Sequence, residues 1–173
     1  LANQGESQLR VMNNLRTYIR KVQMSMTDAS QFTVSETLAT TPGQVIFENE
    51  FFQLIEYAPQ TAQVHAVPLL MIPACINKFY ILDLQEKNSL ARYAVDQGIR
   101  TFMVSWRNPD ASIAHATWDN YVQDVIIKAI QVTAEISPTK TVNALGFCVG
   151  GTILANALAV LAARGDQPVA SAT

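Results

Sequence analysis

Cysteine is scarce: the 173 residues contain Cys75 and Cys148 alone, too few for a disulfide framework. Histidine is as rare, with only His65 and His115, and no His/Cys grouping has metal-ligand spacing, so no metal is expected. Charge of one sign is also missing: 12 Lys+Arg stand against 14 Asp+Glu, a net charge of -2. That balance excludes a basic face for phosphate backbones, so nucleic acid is not an expected partner. The sequence lacks repeats and low-complexity segments. At 49% hydrophobic and 15% charged it also lacks the composition of a disordered chain. One uncharged run, Thr141 to Ala163, is long enough to raise the question of a membrane span. Asn143, Asn156 and the Gly150–Gly151 pair interrupt it, and a strand feeding a buried helix is the preferred reading, with no membrane span. The stretch begins at Leu1 without an initiator Met or a charged-then-apolar leader, and closes on Val169–Thr173, which reads as the opening of a strand. An internal piece of a longer chain is expected, and two free thiols make a reducing cytoplasm the default compartment.

Leu9, Met12, Leu15, Ile19, Val22 and Met26 recur at steps of three and four, which predicts an amphipathic helix over 6–26. Arg10, Arg16, Arg20 and Lys21 occupy other positions. A helix packed on a neighbour is the plain reading, and a membrane- or granule-surface helix the sharper one. Thr27 to Gly43 is Ser/Thr-rich and ends in Thr41–Pro42–Gly43, a connector. Residues 1–43 are therefore expected to close a preceding region, and 44–173 to form the main domain.

From Gln44 the rhythm changes. Gln44–Phe47 and Phe51–Tyr57 flank a polar turn and read as a hairpin. Val67–Ile72 is an apolar run ended by Pro73, as in a strand buried on both faces. Ser89 is placed to cap a helix ending before Gly98, and Ile99–Ser105 is the next strand. Thr117 opens a long helix with Tyr121, Val125, Ala129, Val132 and Ile136 as its expected inward stripe, and Pro138 lies beyond its end. Thr141–Phe147 is a strand, and Val149 to Arg164 a helix closed by Gly165. This alternation predicts an α/β fold, a mainly parallel sheet with helices on both faces.

Between that last strand and its helix stands Gly146–Phe147–Cys148–Val149–Gly150, a nucleophile-elbow pattern with sulfur in place of the usual serine oxygen. A nucleophile on a sharp strand-to-helix turn needs neighbours without bulk two residues before and after it. Gly146 and Gly150 meet that need, and Gly151 adds room for the helix. The helix N-terminus directs its positive dipole end at the sulfur, which favours the thiolate, and the Val149 N–H is one donor for a developing oxyanion. A buried cysteine among packing glycines is the plain alternative. A second donor is expected from the loop Pro73–Lys78, either Cys75 N–H or Ile76 N–H. Cys75 lacks an elbow of its own, and a Cys75–Cys148 disulfide reads as an oxidation artefact. A thiolate also wants a histidine and an acid after it in chain order, but only Asp166 follows, in a helix-end turn. His65 and His115 precede the elbow and are expected to be structural or exposed. Arg107 and Asp110 are expected to pair with each other or with backbone, and Asp83 to hold loop structure beneath the site.

Three stretches, Pro68–Leu84, Val104–Asp110 and Asn143–Gly151, closely resemble the polyhydroxyalkanoate (poly-3-hydroxybutyrate) synthases. The resemblance runs from about Val45 to the end, and more loosely through the leading helix. Its form is similar to the single-subunit, class I type acting on short-chain substrates. It implies the N-terminal half of an α/β-hydrolase fold. It also implies an acyltransferase that polymerises (R)-3-hydroxyacyl-CoA, 3-hydroxybutyryl-CoA above all, with release of CoA and without a cofactor. The family's catalytic cysteine maps onto Cys148, which would carry the growing polyester as a thioester; the family's aspartate and histidine map onto nothing in this stretch. A homodimer at the surface of polymer granules in the cytoplasm is implied as well. The rival readings are a cysteine-elbow hydrolase, either thioesterase or polyester depolymerase, and a non-catalytic granule-associated protein.

Overall fold

The computed structural model describes residues 5–21 and 27–173, which divide into two compact units, one ending at Thr33 and one spanning Val34–Thr173. In the first unit, helix α1 covers Glu6–Lys21, and Leu9, Met12, Leu15 and Ile19 are exposed along it. Val22 and Met26, the last two positions of the expected stripe, lie outside the described residues.

The second unit is built on one six-stranded sheet: β1 (Gly43–Glu48), β2 (Phe52–Tyr57), β3 (Leu69–Ile72), β4 (Thr101–Trp106), β5 (Val142–Gly146) and β6 (Val169–Ala172). Their order across the sheet is β1-β2-β4-β3-β5-β6. The β1–β2 hairpin is antiparallel and β2 lies antiparallel on β4, whereas β4, β3, β5 and β6 run parallel. The hairpin turns on Asn49, whose side-chain oxygen accepts from the amides of Phe51 and Phe52 at 2.9 and 3.1 Å. The segment after Thr33 is tied into this unit: the Ala39 amide donates to the Asp83 carbonyl, and the Thr41 hydroxyl to the Asp83 carboxylate.

Strand alternation sorts the core into two layers. Leu54, Leu70, Ile72, Phe102, Val104 and Ala144 point to one face, where they meet Val125, Ile126, Ile130, Ile153 and Ala157 from the following helices. Tyr57, Met71 and Met103 point to the other, against Ala91, Ala94 and Val95 of α2 (Leu90–Asp96). Ser89 caps α2 by accepting from the Arg92 amide at 2.8 Å, and Gly98 follows it at φ +74°.

The helix after Thr117 is continuous but not uniform. A short α-helical turn, α3 (Trp118–Asn120), leads into a π-helical stretch, Tyr121–Ile127, and then α4 (Lys128–Ile136). Its buried face is Val122, Val125, Ile126, Ile127, Ala129, Ile130, Thr133 and Ala134, while Ile136 is exposed. That corrects the expected stripe at Ile136 alone, since Tyr121 and Val132 are partly buried and pack against the core as expected. A π turn holds more residues than an α turn, so each position beyond it is rotated away from the 3.6-residue register. The uncharged run divides into β5 and helix α5 (Val149–Arg164), which ends on Gly165 at φ +82°. No helix among the described residues is long and apolar enough to cross a membrane.

Candidate active site

β5 delivers the chain to the C-terminal edge of the sheet, and α5 departs at once. The single residue that makes the corner is Cys148, at φ +56° and ψ -124°. A side-chain-bearing residue reaches that region only at a cost of about 1–3 kcal/mol, and such strain gathers at functional sites. The corner is held by short bonds. The Phe147 amide donates to the Ile72 carbonyl (2.9 Å), the Gly150 amide to the Phe147 carbonyl (2.9 Å) and the Gly151 amide to the Cys148 carbonyl (2.9 Å).

Steric room decides the neighbours. A Cβ on Gly150 would stand 2.2 Å from the Ile72 carbonyl oxygen and 2.8 Å from that of Pro73. One on Gly146 would stand 2.4 Å from the Gly151 Cα. Both obstacles are backbone, so neither position admits a side chain without moving β3 or α5. With the glycines in place, the first turn of α5 presses onto the exit of β3, and Cys148 is left exposed at the top of the sheet.

The N–H of Val149, first residue of α5, meets no acceptor among the described residues, as expected of a helix N-terminus. The loop leaving β3 carries Cys75, half-buried, and Ile76, exposed, and turns on an Asn77 amide to Ala74 carbonyl bond of 3.0 Å. Burial pushes the Cys75 thiol up, with its own backbone N–H opposing. Both cysteines are free thiols. β3 and β5 are neighbours in the sheet, so the β3 exit loop and the elbow emerge side by side.

Other sequence candidates are placed elsewhere. His115 is exposed, 3.6 Å from Glu50 in the hairpin turn, and the exposed His65 donates its amide to the Gly98 carbonyl. Arg107 pairs with Asp110 at 3.3 Å and also donates to Ser112 and the Glu50 carbonyl. Hydrogen bonds from Ser112, with Arg107 assisting, hold the Asp110 carboxyl below the usual range. Of these, Arg107 and Glu50 border a cleft of about 410 Å³, lined also by Glu48, Gln53, Ser105 and Asn108. Asp83 is buried and accepts from Thr41 and Ser89 (2.6 Å each) and from Tyr57 (3.3 Å). Burial first, and then the Asp83 carboxylate, push the Tyr57 hydroxyl up. No His/Cys/Asp/Glu group among the described residues has the arrangement of a metal site. Sequence reasoning passed over the indole of Trp106, which donates to the Pro73 carbonyl at 2.8 Å. A tryptophan ending a buried strand was the available signal, because its N–H requires a partner.

A mainly parallel sheet covered on both faces, with a strained residue at a glycine-flanked strand-to-helix corner, defines the α/β-hydrolase class. Residues 67–173 match the family model described as alpha/beta hydrolase fold. Solved structures agree on the fold alone. A mutant of the esterase rPPE overlays 82% of this chain on 44% of its own (TM-score 0.55, 15% identity). Brefeldin A esterase, a bacterial homologue of human hormone sensitive lipase, overlays 95% on 46% (TM-score 0.52, 14% identity). Residues 1–94 match the model for the poly-beta-hydroxybutyrate polymerase (PhaC) N-terminus, and the chain belongs to that family. It is 54% identical over 169 residues to the poly(3-hydroxyalkanoate) polymerase subunit PhaC of Cupriavidus necator, covering 98% of this chain and 29% of that protein. Identity to the poly(3-hydroxyalkanoate) polymerase of Methylorubrum extorquens is 44% over 153 residues, 88% of this chain and 25% of the relative. The chain thus spans less than a third of these relatives.

Proposed function

We propose that this stretch supplies the nucleophile of an acyltransferase that polymerises (R)-3-hydroxyacyl-CoA, with 3-hydroxybutyryl-CoA as the preferred substrate. The observation that carries the reading is the strained, exposed Cys148 at a corner where a Cβ on either flanking glycine would strike backbone. Membership of the polymerase family supports it.

In this reading the Cys148 thiolate attacks the substrate's thioester carbonyl. The oxyanion forms opposite the N–H of Val149 and an N–H of the Cys75–Ile76 loop. The carbon–sulfur bond to CoA then breaks, CoA leaves as its thiolate and takes up the proton that a general base had drawn from the Cys148 thiol, and the acyl group rests on Cys148 as a thioester. The hydroxyl of a further 3-hydroxyacyl-CoA attacks that carbonyl and gives its proton to a general base. An ester bond forms, the bond to Cys148 breaks, and the lengthened chain, now on CoA, returns to the sulfur by the same exchange. The base and its orienting carboxylate belong to the part of the relatives that this stretch does not span. The 173 residues alone are therefore inactive. The reading extends to a granule-associated homodimer in the cytoplasm, with the exposed apolar stripe of α1 as a contact surface.

The test gives 3-hydroxybutyryl-CoA to the complete polypeptide that carries this sequence and follows released CoA into insoluble polyester or free hydroxy acid. Polyester that disappears in Cys148→Ala is the expected result. Free acid without polymer would replace the synthase by a thioesterase, and turnover unchanged in Cys148→Ala would remove the cysteine from the mechanism.

A further inference from the structure

The loop that leaves β3 has few anchors of its own. Pro73 brings no N–H, Ile76 is 77% exposed, and inside the loop the Asn77 amide to Ala74 carbonyl bond is the main internal tie. Its two ends are gripped from one place, the exit of β4. At the near end the Trp106 indole, itself buried and stacked at 5.5 Å on Tyr121, donates to the Pro73 carbonyl. At the far end the Lys78 ammonium donates to the Asn108 side chain.

The Pro73 carbonyl has a second neighbour. It is one of the two backbone oxygens against which Gly150 packs, the other being the Ile72 carbonyl that receives the Phe147 amide. Successive carbonyls of the β3 exit are thus held from opposite sides, Ile72 by the elbow on the β5 side and Pro73 by the indole on the β4 side. A peptide unit is a rigid plane, so fixing the Pro73 carbonyl fixes the direction in which the chain enters Ala74, Cys75 and Ile76.

We propose that Trp106 is a positioning residue for acyl transfer: its indole N–H holds the Pro73 carbonyl and so keeps the Cys75 and Ile76 amides aimed at the oxyanion on Cys148. The inference rests on the reading of Cys148 as an acyl-accepting nucleophile. It concerns the loop's aim, since the indole N–H donates to the backbone carbonyl of Pro73. An oxyanion donor displaced by a fraction of an ångström loses effect in the transition state while leaving the bound ground state nearly unchanged.

The test uses the complete polypeptide with Trp106→Phe, which keeps an aromatic ring and removes the donor. Two reactions of the same sulfur are compared: acylation by 3-hydroxybutyryl-CoA, which passes through an oxyanion, and alkylation by iodoacetamide, which does not. The expected result is a kcat for CoA release lower by about 10- to 100-fold, with KM and the alkylation rate within about twofold of the parent. Acylation and alkylation falling together would overturn the proposal, because the indole would then be supporting the elbow as a whole. Unchanged acylation would overturn it too. Should Trp106→Phe fail to fold, replacing Trp106 site-specifically by 3-benzothienylalanine removes the N–H at constant shape and is read the same way. A parent protein that never acylates Cys148 would instead sink the nucleophile reading, an outcome visible before any Trp106 variant is made.

Discussion

At the scale of single residues, backbone crowding and burial set the strongest constraints. Gly150→Ala drives a methyl group into the Ile72 carbonyl oxygen, and Gly146→Ala into the Gly151 Cα. Either should cost about 3 kcal/mol or more and abolish activity, because β3 and α5 must part to admit the atom. Gly165→Ala is the control: its φ of +82° strains an alanine, but nothing lies within 4 Å, so about 1 kcal/mol is expected. Thermal midpoints of the complete polypeptide measure all three. The thiols offer a second check. Since burial pushes the Cys75 thiol up, its alkylation against pH should reach half-maximum above the pH found for an exposed cysteine peptide. The sign for stability follows: the native state favours the protonated thiol, so this contribution is present at neutral pH and is lost as pH rises through the native pKa. Mass spectrometry after iodoacetamide pulses reads the curve, and a midpoint at or below the peptide's would contradict the burial.

At the scale of elements, buried hydroxyls separate those that matter from those that do not. Asp83 draws Thr41, Tyr57 and Ser89 together and so binds three segments: the chain before β1, strand β2 and the cap of α2. Asp83→Leu would leave those hydroxyls without their acceptor, and a loss of about 3 kcal/mol is expected. Thr133 is the opposite case: its hydroxyl is buried in α4 and meets no partner among the described residues. Thr133→Val should therefore be neutral or stabilising by up to about 1 kcal/mol, and a loss of that size in urea melts would reveal a missed partner. The π-helical stretch shows a limit of pattern reading. Asn49 of the hairpin turn donates to the Asp124 carbonyl within it at 2.8 Å, a contact between residues far apart in sequence. Periodicity along Tyr121–Ile136 cannot register such a contact. The expected stripe accordingly failed at Ile136, while Val125 and Ala129 fell on the buried face.

At the scale of the whole molecule, the nucleophile corner occupies one place in a sheet whose parallel strands all end at the same edge. Under the proposed mechanism a nucleophile without its base should accept an acyl group poorly. CoA release by a polypeptide of these 173 residues should not rise above the uncatalysed background, whereas the complete polypeptide turns over. Release at equal rates from both would place the base among the described residues, with His65 and His115 the first to be tested.

Sequence alone determined the alternation of strands and helices, the hairpin, the cap at Ser89 and the helix ends at Gly98 and Gly165. It also singled out the Gly146–Gly150 corner, and the family followed from the motifs around it. All of these depend on local propensity or on spacing within one segment, information that a linear pattern carries in full. Tertiary structure decided what depends on distant partners: the clash that reserves Gly150, the three donors on Asp83, the rotation of the helix after Thr117, and the indole of Trp106 on the Pro73 carbonyl. Such contacts join residues up to 78 positions apart, as Gly150 and Ile72 are, and only the packing of the sheet brings them within bonding distance.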